Sequence, residues 1–552
     1  MKKRSVLFLS AALISALLGM GCAKKAGGAG STAGTKEPVS FTFFTVDAAE
    51  DMLFNDPVAK KMTEATGVTL IVDHPVGGDQ QAVPLMIASG QYPDLIYAKG
   101  DLTMLIEAGA VIPLDDLIAQ KGTHIRELYG DQLVRLKNSI EDPHIYTVGT
   151  YGVKTAVWQT DGTMQVQHAV LKDLGYPRIQ TLADYENAIK AYKAKYPTIN
   201  GQKTIGLSLL IDTWQWYIDL SNPSGFLIGY PDDGQWIVDQ NTLQAQYKFL
   251  HPDAKLFYQW LNRMNAEGIL DPESFIQKED IWKAKIASGR VLGLCYPLWG
   301  YSDVRTSLIR DGMSERTYAY LPVTADGRFK APSLKDYGFG GGWGIAISSS
   351  CEDPERAFEF LDWMCGEEAQ ILANWGIEGV NYEVIDGTRV VPEDEQRWSD
   401  TDPDYSKKTG VGRWVYPFPQ LGQGHIDSTG NYISRDSPET IRQKYLPVEK
   451  ETLAAYGAEM WTDLFPSTES LGISKHGQAW QYSLPPEINA KVTEADEYIK
   501  NALANIVLGK PENFDAAWNK IAQDLRKLGI EEANSALTQM IQDKISMWNQ
   551  GL

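Results

Sequence analysis

YGFGGGWGIAISSSCEDPERAFEFLDWMCGEEAQILANWGIEGVNY, Tyr337 to Tyr382, is the stretch whose reading decides the fold. Its Gly-rich opening (Gly338, Gly340, Gly341, Gly342) leads into an alternating apolar run, Gly344 to Ser348, which reads as a strand. The acidic, Pro-containing CEDPERAF then opens an amphipathic helix, with Ala357, Phe358, Phe360, Leu361 and Met364 at helical spacing. That helix is predicted to run to the Gly-bearing turn WGIEG. Trp343 and Trp375 stand where the backbone changes direction, and such turns at the ends of α/β elements are where ligands are read.

Working outward, the N-terminal side repeats the same grammar. VSFTFFTVD, a helical DPVAKKMTEATG and VTLIVDH make a β-α-β start, hence an α/β domain. A helix ending at Ser89-Gly90 precedes the short buried strand DLIYA. Further on, Thr181 caps the helix of TLADYENAIKAYKAKY, and YPDDGQWIVDQ, with its Asp-Gly turn, reads as a hairpin. Trp214 and Trp216 in IDTWQWYIDL suit a loop or a helix start. VLGLCY is a strand ending at Pro297, with Trp299 just beyond it. Residues 383 to 480 are rich in Pro, Gly and aromatics and show little period, whereas 494 to 552 hold three helical patterns punctuated by Gly509 and Gly529.

Three segments together, DPE-x-A-x-x-FLDWM-x-x-EE-x-Q with GIEG-x-x-Y, ASG-x-YPDLI with IPLDDLI, and EGILDPESF with ASG-x-V, resemble the extracellular solute-binding proteins of ABC transporters. The likeness is to the large carbohydrate-uptake lipoproteins of Gram-positive bacteria, and it runs from the first residues to the C-terminal helices. It implies a two-lobed α/β fold of the type II periplasmic-binding-protein kind, each lobe a mixed sheet flanked by helices, with a ligand cleft between them. The expected division is 39–155 plus 337–375 for the N-terminal lobe and 156–336 plus 376–552 for the C-terminal lobe. The resemblance also implies a carbohydrate ligand, permease subunits as partners, a monomer and no catalysis. Trp299, Trp343 and Trp375 are then expected as stacking platforms and Asp101 and Glu378 as hydroxyl acceptors. Tyr97, Trp158 (near the hinge) and Trp214 complete the expected site.

The N-terminus agrees. Lys2, Lys3 and Arg4 precede an apolar run from Val6 to Met20, shorter than the ~20 residues that cross a bilayer, so residues 1–21 read as a signal. Leu18-Gly19-Met20-Gly21-Cys22 resembles a lipobox with Cys22 as the lipidated residue, and the small, polar 22–38 reads as a tether. That placement is the outer face of the cell membrane. A net charge of −20 argues against nucleic acid. Besides Cys22 there are Cys295, Cys351 and Cys365; whether Cys351 and Cys365 pair is open.

No GxSxG, HExxH or phosphate-loop motif is present, and no cofactor or metal is expected. Asp400, Asp402 and Asp404 imitate the start of a calcium loop, but Tyr405 and Val411 stand where its Gly and Glu belong. A glycan-cleaving enzyme remains an alternative, since paired carboxylates cannot be seen in sequence, as does a binder of peptides or another non-sugar ligand.

Overall fold

The computed structural model describes residues 37–47, 52–75, 79–153, 156–160 and 162–551. The expected signal segment, Cys22 and nearly all of the tether lie outside them. Nine strands build the two main sheets: β1 (Val39–Thr45), β2 (Val68–Asp73), β3 (Leu95–Tyr97), β4 (Thr147–Gly149), β5 (Met164–Gln167), β6 (Ile205–Leu207), β7 (Val291–Leu294), β8 (Tyr318–Leu321) and β9 (Gly344–Ile347). The first sheet has the order β2-β1-β3-β9-β4 and the second β8-β5-β7-β6. Each has its own apolar core. The molecule is therefore two-lobed.

In the first sheet β1 runs parallel to β2 and β3, with Phe43 beside Leu95, while β9 lies antiparallel between β3 and β4. The helix α1 (Pro57–Thr66) connects β1 and β2. It starts where the Asp56 carboxylate accepts from the Ala59 N–H at 2.8 Å, with Pro57 next to the cap, and ends at Gly67 in the left-handed region. The stretch after β9 is capped in the same way by Asp353, which accepts from Arg356 N at 3.0 Å. It does not continue as one helix. Gly366, in an extended conformation, divides it into α2 (Pro354–Cys365) and α3 (Glu367–Trp375).

In the second sheet β6 and β7 are parallel, and β5 lies antiparallel between β7 and β8. The same core takes in the helix Lys255–Ala266 and three long C-terminal helices, α4 (Pro486–Leu508), α5 (Phe514–Lys527) and α6 (Ile530–Gln550), through Ile499, Leu503, Trp518 and Leu537. The sequence places these three helices correctly. Its hairpin is displaced by a few residues: Trp236–Val238 pairs with Ala245–Tyr247 around a turn at Asp239, and Asp233-Gly234 only makes the tight bend before it.

The lobe division also needs correcting. Tyr405, Val411, Trp414 and Phe418 are buried in the first core, where Trp414 Nε1 donates to Asp56 at 2.8 Å and Phe418 lies 5.5 Å from Phe43. The segment beyond residue 375 thus contributes to the first lobe as far as Phe418, and Leu453 is back in the second core. An indole and three other large side chains find their apolar surroundings there, which a boundary drawn at the end of α3 ignores. The last turns of α6 reach the first lobe as well: Lys544 Nζ donates to Lys137 O at 3.1 Å, and the Arg135 guanidinium lies over Trp548.

The Gly-rich turn before β9 is required by geometry. Gly341 has φ +86°, and a Cβ there would sit 1.9 Å from Arg135 O; a Cβ on Gly342 would strike the Gln481 side chain. Here the chain re-enters the first lobe between two other segments. Among the described residues no helix is long and apolar enough to cross a membrane.

Candidate functional site

Strand direction defines where a ligand can be read. In the first sheet the carboxyl ends of β1, β3 and β4 and the amino end of β9 share one edge, so Asp47, Lys99, Tyr151 and Trp343 emerge together. In the second sheet the neighbouring parallel strands β6 and β7 project Trp214 and Trp299 beyond their carboxyl ends. Two aromatic stations result.

At the first station Tyr97 is fully buried and its hydroxyl meets that of Tyr416 at 2.7 Å. Tyr416 Oη donates to Asp47 Oδ2 at 2.7 Å, and Asp47 Oδ1 takes the Lys99 ammonium at 2.6 Å. Lys99 sits at φ +51°, an uncommon conformation for a non-glycine residue, and its ammonium is 5.2 Å from the centre of the Trp343 ring. Burial pushes the Tyr97, Tyr151 and Tyr416 hydroxyls well above the usual phenol range, so they stay neutral donors.

The second lobe closes this station with Trp480, whose ring centre is 4.5 Å from that of Trp343 and 5.6 Å from that of Tyr151. Trp480 is set by its neighbours: Asp233 Oδ1 accepts from Ala479 N at 2.8 Å and lies 3.0 Å from His476 Nε2, while Gly234 lets the backbone approach the indole. Both indole N–H groups, of Trp343 and Trp480, are buried without an acceptor. Leaving such donors unmade is costly, which marks the spot as one where an acceptor is wanted.

At the second station Trp214 and Trp299 stack at 5.9 Å with their planes 21° apart, and they remain 42% and 55% exposed. Tyr296 supports Trp299 edge-on at 5.5 Å. Below them the buried Asp219 ties the chain after β6 to the chain after β7: it accepts from Leu210 N at 2.6 Å and from Cys295 Sγ at 3.0 Å. Burial pushes its carboxyl up to about 7. Between the stations, in the second lobe, Tyr217 N donates to Trp214 O at 3.0 Å, Tyr217 Oη and Gln235 Nε2 donate to Asp496 at 3.0 Å each, and Gly234 beside Gln235 lies close to Trp480.

Of the residues expected from sequence, Tyr97, Trp343, Trp214 and Trp299 fall at the stations, and Asp101 lies in the short turn after β3. Trp158 sits on the crossing between the lobes, edge-on to Tyr432 at 5.1 Å. Trp375 does not offer a stacking face: it is 5% exposed, with Nε1 donating to Tyr432 O and Arg389 over its ring. Glu378 is exposed on the far side of the lobe, in a groove with Lys61 and Glu64 from the half of α1 that leads to the amino end of β2. The turn that carries both residues follows the second of two helices and lies away from the strand ends.

Sequence reading missed Asp47, Lys99, Tyr151, Tyr416, Trp480 and Asp219. Trp480 and Tyr416 lie in the aperiodic 383–480 stretch, where the remaining signal was aromatics between prolines and glycines. Cys351 and Cys365 are free and buried, as is Cys295. Asp400 is bound by Gln396 within a helix and Asp402 by Lys408 and Trp398; among the described residues no group of three potential ligands could hold a metal.

A model of the bacterial extracellular solute-binding protein family matches residues 58–395. Lipoprotein LipO of Bacillus subtilis is 24% identical over 318 residues, 55% of this chain and 59% of LipO, so the match spans well under two thirds of that relative. Among solved structures, the alginate-binding protein AlgQ2 superposes with a TM-score of 0.64 at 17% identity, covering 92% of this chain and 99% of its own. The ABC-transporter substrate-binding protein FusA of S. pneumoniae, in complex with kestose, gives 0.65 at 17% identity, covering 91% and 99%. These likenesses extend over both lobes and support the same architecture. The family match covers more than half of the sequence: the chain belongs to the bacterial extracellular solute-binding proteins, which bind solutes and do not transform them.

Proposed function

We propose that this solute-binding protein captures a carbohydrate, an oligosaccharide, between its lobes and delivers it to the permease of an ABC transporter. It would do so from the outer face of the cell membrane, held by a lipid on Cys22. The observation that carries the ligand class is the exposed Trp214–Trp299 pair at the carboxyl ends of two parallel strands. A sugar ring has an apolar face that stacks on an indole and an edge of hydroxyls that needs directed partners. Asp47 and Lys99, the tyrosine hydroxyls and the orphaned indole N–H groups of the first station supply both acceptors and donors. AlgQ2 and FusA, described by alginate and kestose respectively, lend the reading support.

Lobe closure would strip water from both sets of contacts and shift the open–closed balance by the ligand's difference in affinity for the two states. The test is a tryptophan-fluorescence titration of the mature protein against plant and microbial oligosaccharides, with each sugar recovered and analysed. A saturable change with the sugar intact is expected. Silence across the panel, with binding of peptides instead, would overturn the reading.

A further inference from the structure

Resting on that reading, we infer that the cleft selects uncharged sugars and discriminates against uronates and other anionic ones. Lys99 is a cation that stands at the first station. Its ammonium is held 2.6 Å from Asp47 Oδ1, and the other oxygen of Asp47 accepts from Tyr416 at 2.7 Å. The positive charge is therefore neutralised in place, and its left-handed backbone fixes it above Trp343. A hydroxyl can accept from this ammonium or donate to this carboxylate without separating the pair. A sugar carboxylate can also accept from a free N–H of the ammonium, but the charge it meets is already shared with Asp47, whose carboxylate then stands beside it as a like charge.

Lysines near the chain that leads into Trp214 and out of Trp299 are bound within the protein as well. Lys278 is paired with Asp212 at 2.6 Å, Lys283 lies between Glu279 at 2.9 Å and Asp303 at 3.2 Å, and Lys500 donates to the carbonyls of Asp212 and Thr213. Each of these ammonium groups is bound to protein oxygen. An incoming anion also approaches a chain whose net charge is −20.

The decisive experiment is calorimetry with pairs of oligosaccharides of equal length, one neutral and one uronate-bearing, on the mature protein and two variants. The native protein is expected to bind the neutral member at least tenfold more tightly. Asp47→Asn keeps an acceptor for Tyr416 but releases the Lys99 ammonium, and should move the affinity ratio tenfold or more toward the uronate. Lys99→Gln removes the charge and should give the uronate no such gain. Native preference for the uronate, or a ratio that Asp47→Asn leaves unmoved, would overturn the inference. Failure of both members of every pair to bind would instead bring down the carbohydrate reading, and this inference with it.

Discussion

The two aromatic stations stand on the same kind of strand ends but differ in how far their side chains are occupied with one another. The Trp214–Trp299 pair offers open surface above a layer in which Asp219 ties Leu210 to Cys295. The Trp343–Trp480 cluster is crowded: a cation already lies over one indole, the lobes touch ring to ring, and two N–H donors lack acceptors. An open platform contributes affinity through area and tolerates different rings. A crowded one rewards a ligand that completes its hydrogen bonds and so contributes selectivity. On the proposed function, the open pair of the second lobe would serve capture and the station where the lobes meet would serve discrimination.

The largest effect that sharpens this contrast lies at neither station. Trp375→Ala should destabilise the protein by about 3–5 kcal/mol, as removal of a buried aromatic does, while the folded fraction keeps its sugar affinity; paired thermal melts and titrations check it, and a lost affinity in folded protein would return Trp375 to the site. Next comes Asp219. Its carboxyl titrates near 7 in the folded chain and near 3.9 when unfolded, so between those values the native state holds a proton that the unfolded state has lost. Stability conferred by this group is full below about pH 4 and is lost as pH rises to about 7, a fall of up to roughly 4 kcal/mol. Asp219→Asn should flatten that slope in denaturant titrations at pH 5 and pH 8, and an unchanged slope would remove Asp219 as its source.

Trp299→Ala should weaken oligosaccharide binding by about 2 kcal/mol, roughly thirtyfold, at unchanged melting temperature. An unaltered dissociation constant would break the comparison at its stronger end. The smallest expected change is Trp480→Phe, which keeps a ring but deletes one orphaned donor. It should alter discrimination between sugar isomers by only a few-fold, about 1 kcal/mol, and leave the general affinity in place. Equal losses for all isomers would show that Trp480 acts as a platform after all.

What the sequence made legible follows from the range over which its signals act. Strand alternation, Pro and Asp at helix starts and glycine at helix ends are local, so β1, β3, β9, α1 and the C-terminal helices could be read from neighbouring residues. Trp299 and Trp214 could be found because each follows its own strand. The first station could not be assembled in this way: Tyr97 meets Tyr416, and Trp343 meets Trp480, only because distant segments return to one sheet edge. Trp375 shows the converse. A tryptophan beside a glycine turn resembles a site residue until the Tyr432 carbonyl and Arg389 are seen to enclose it.

The seating of β9 between β3 and β4 also dictates an order of assembly. Residues 95–97 and 147–149 have no shared partner until residues 344–347 exist to join them, and the core beneath waits further for Trp414 and Phe418. The lobe begun first along the chain is therefore finished late, after the strands of the second sheet have all been made. Contacts spanning about two hundred residues slow the search for the native state and leave strand edges open meanwhile. A chain that emerges from its amino end must pass much of its journey with half a sheet, and a truncation before residue 344 would strand it there, with β3 and β4 unable to meet.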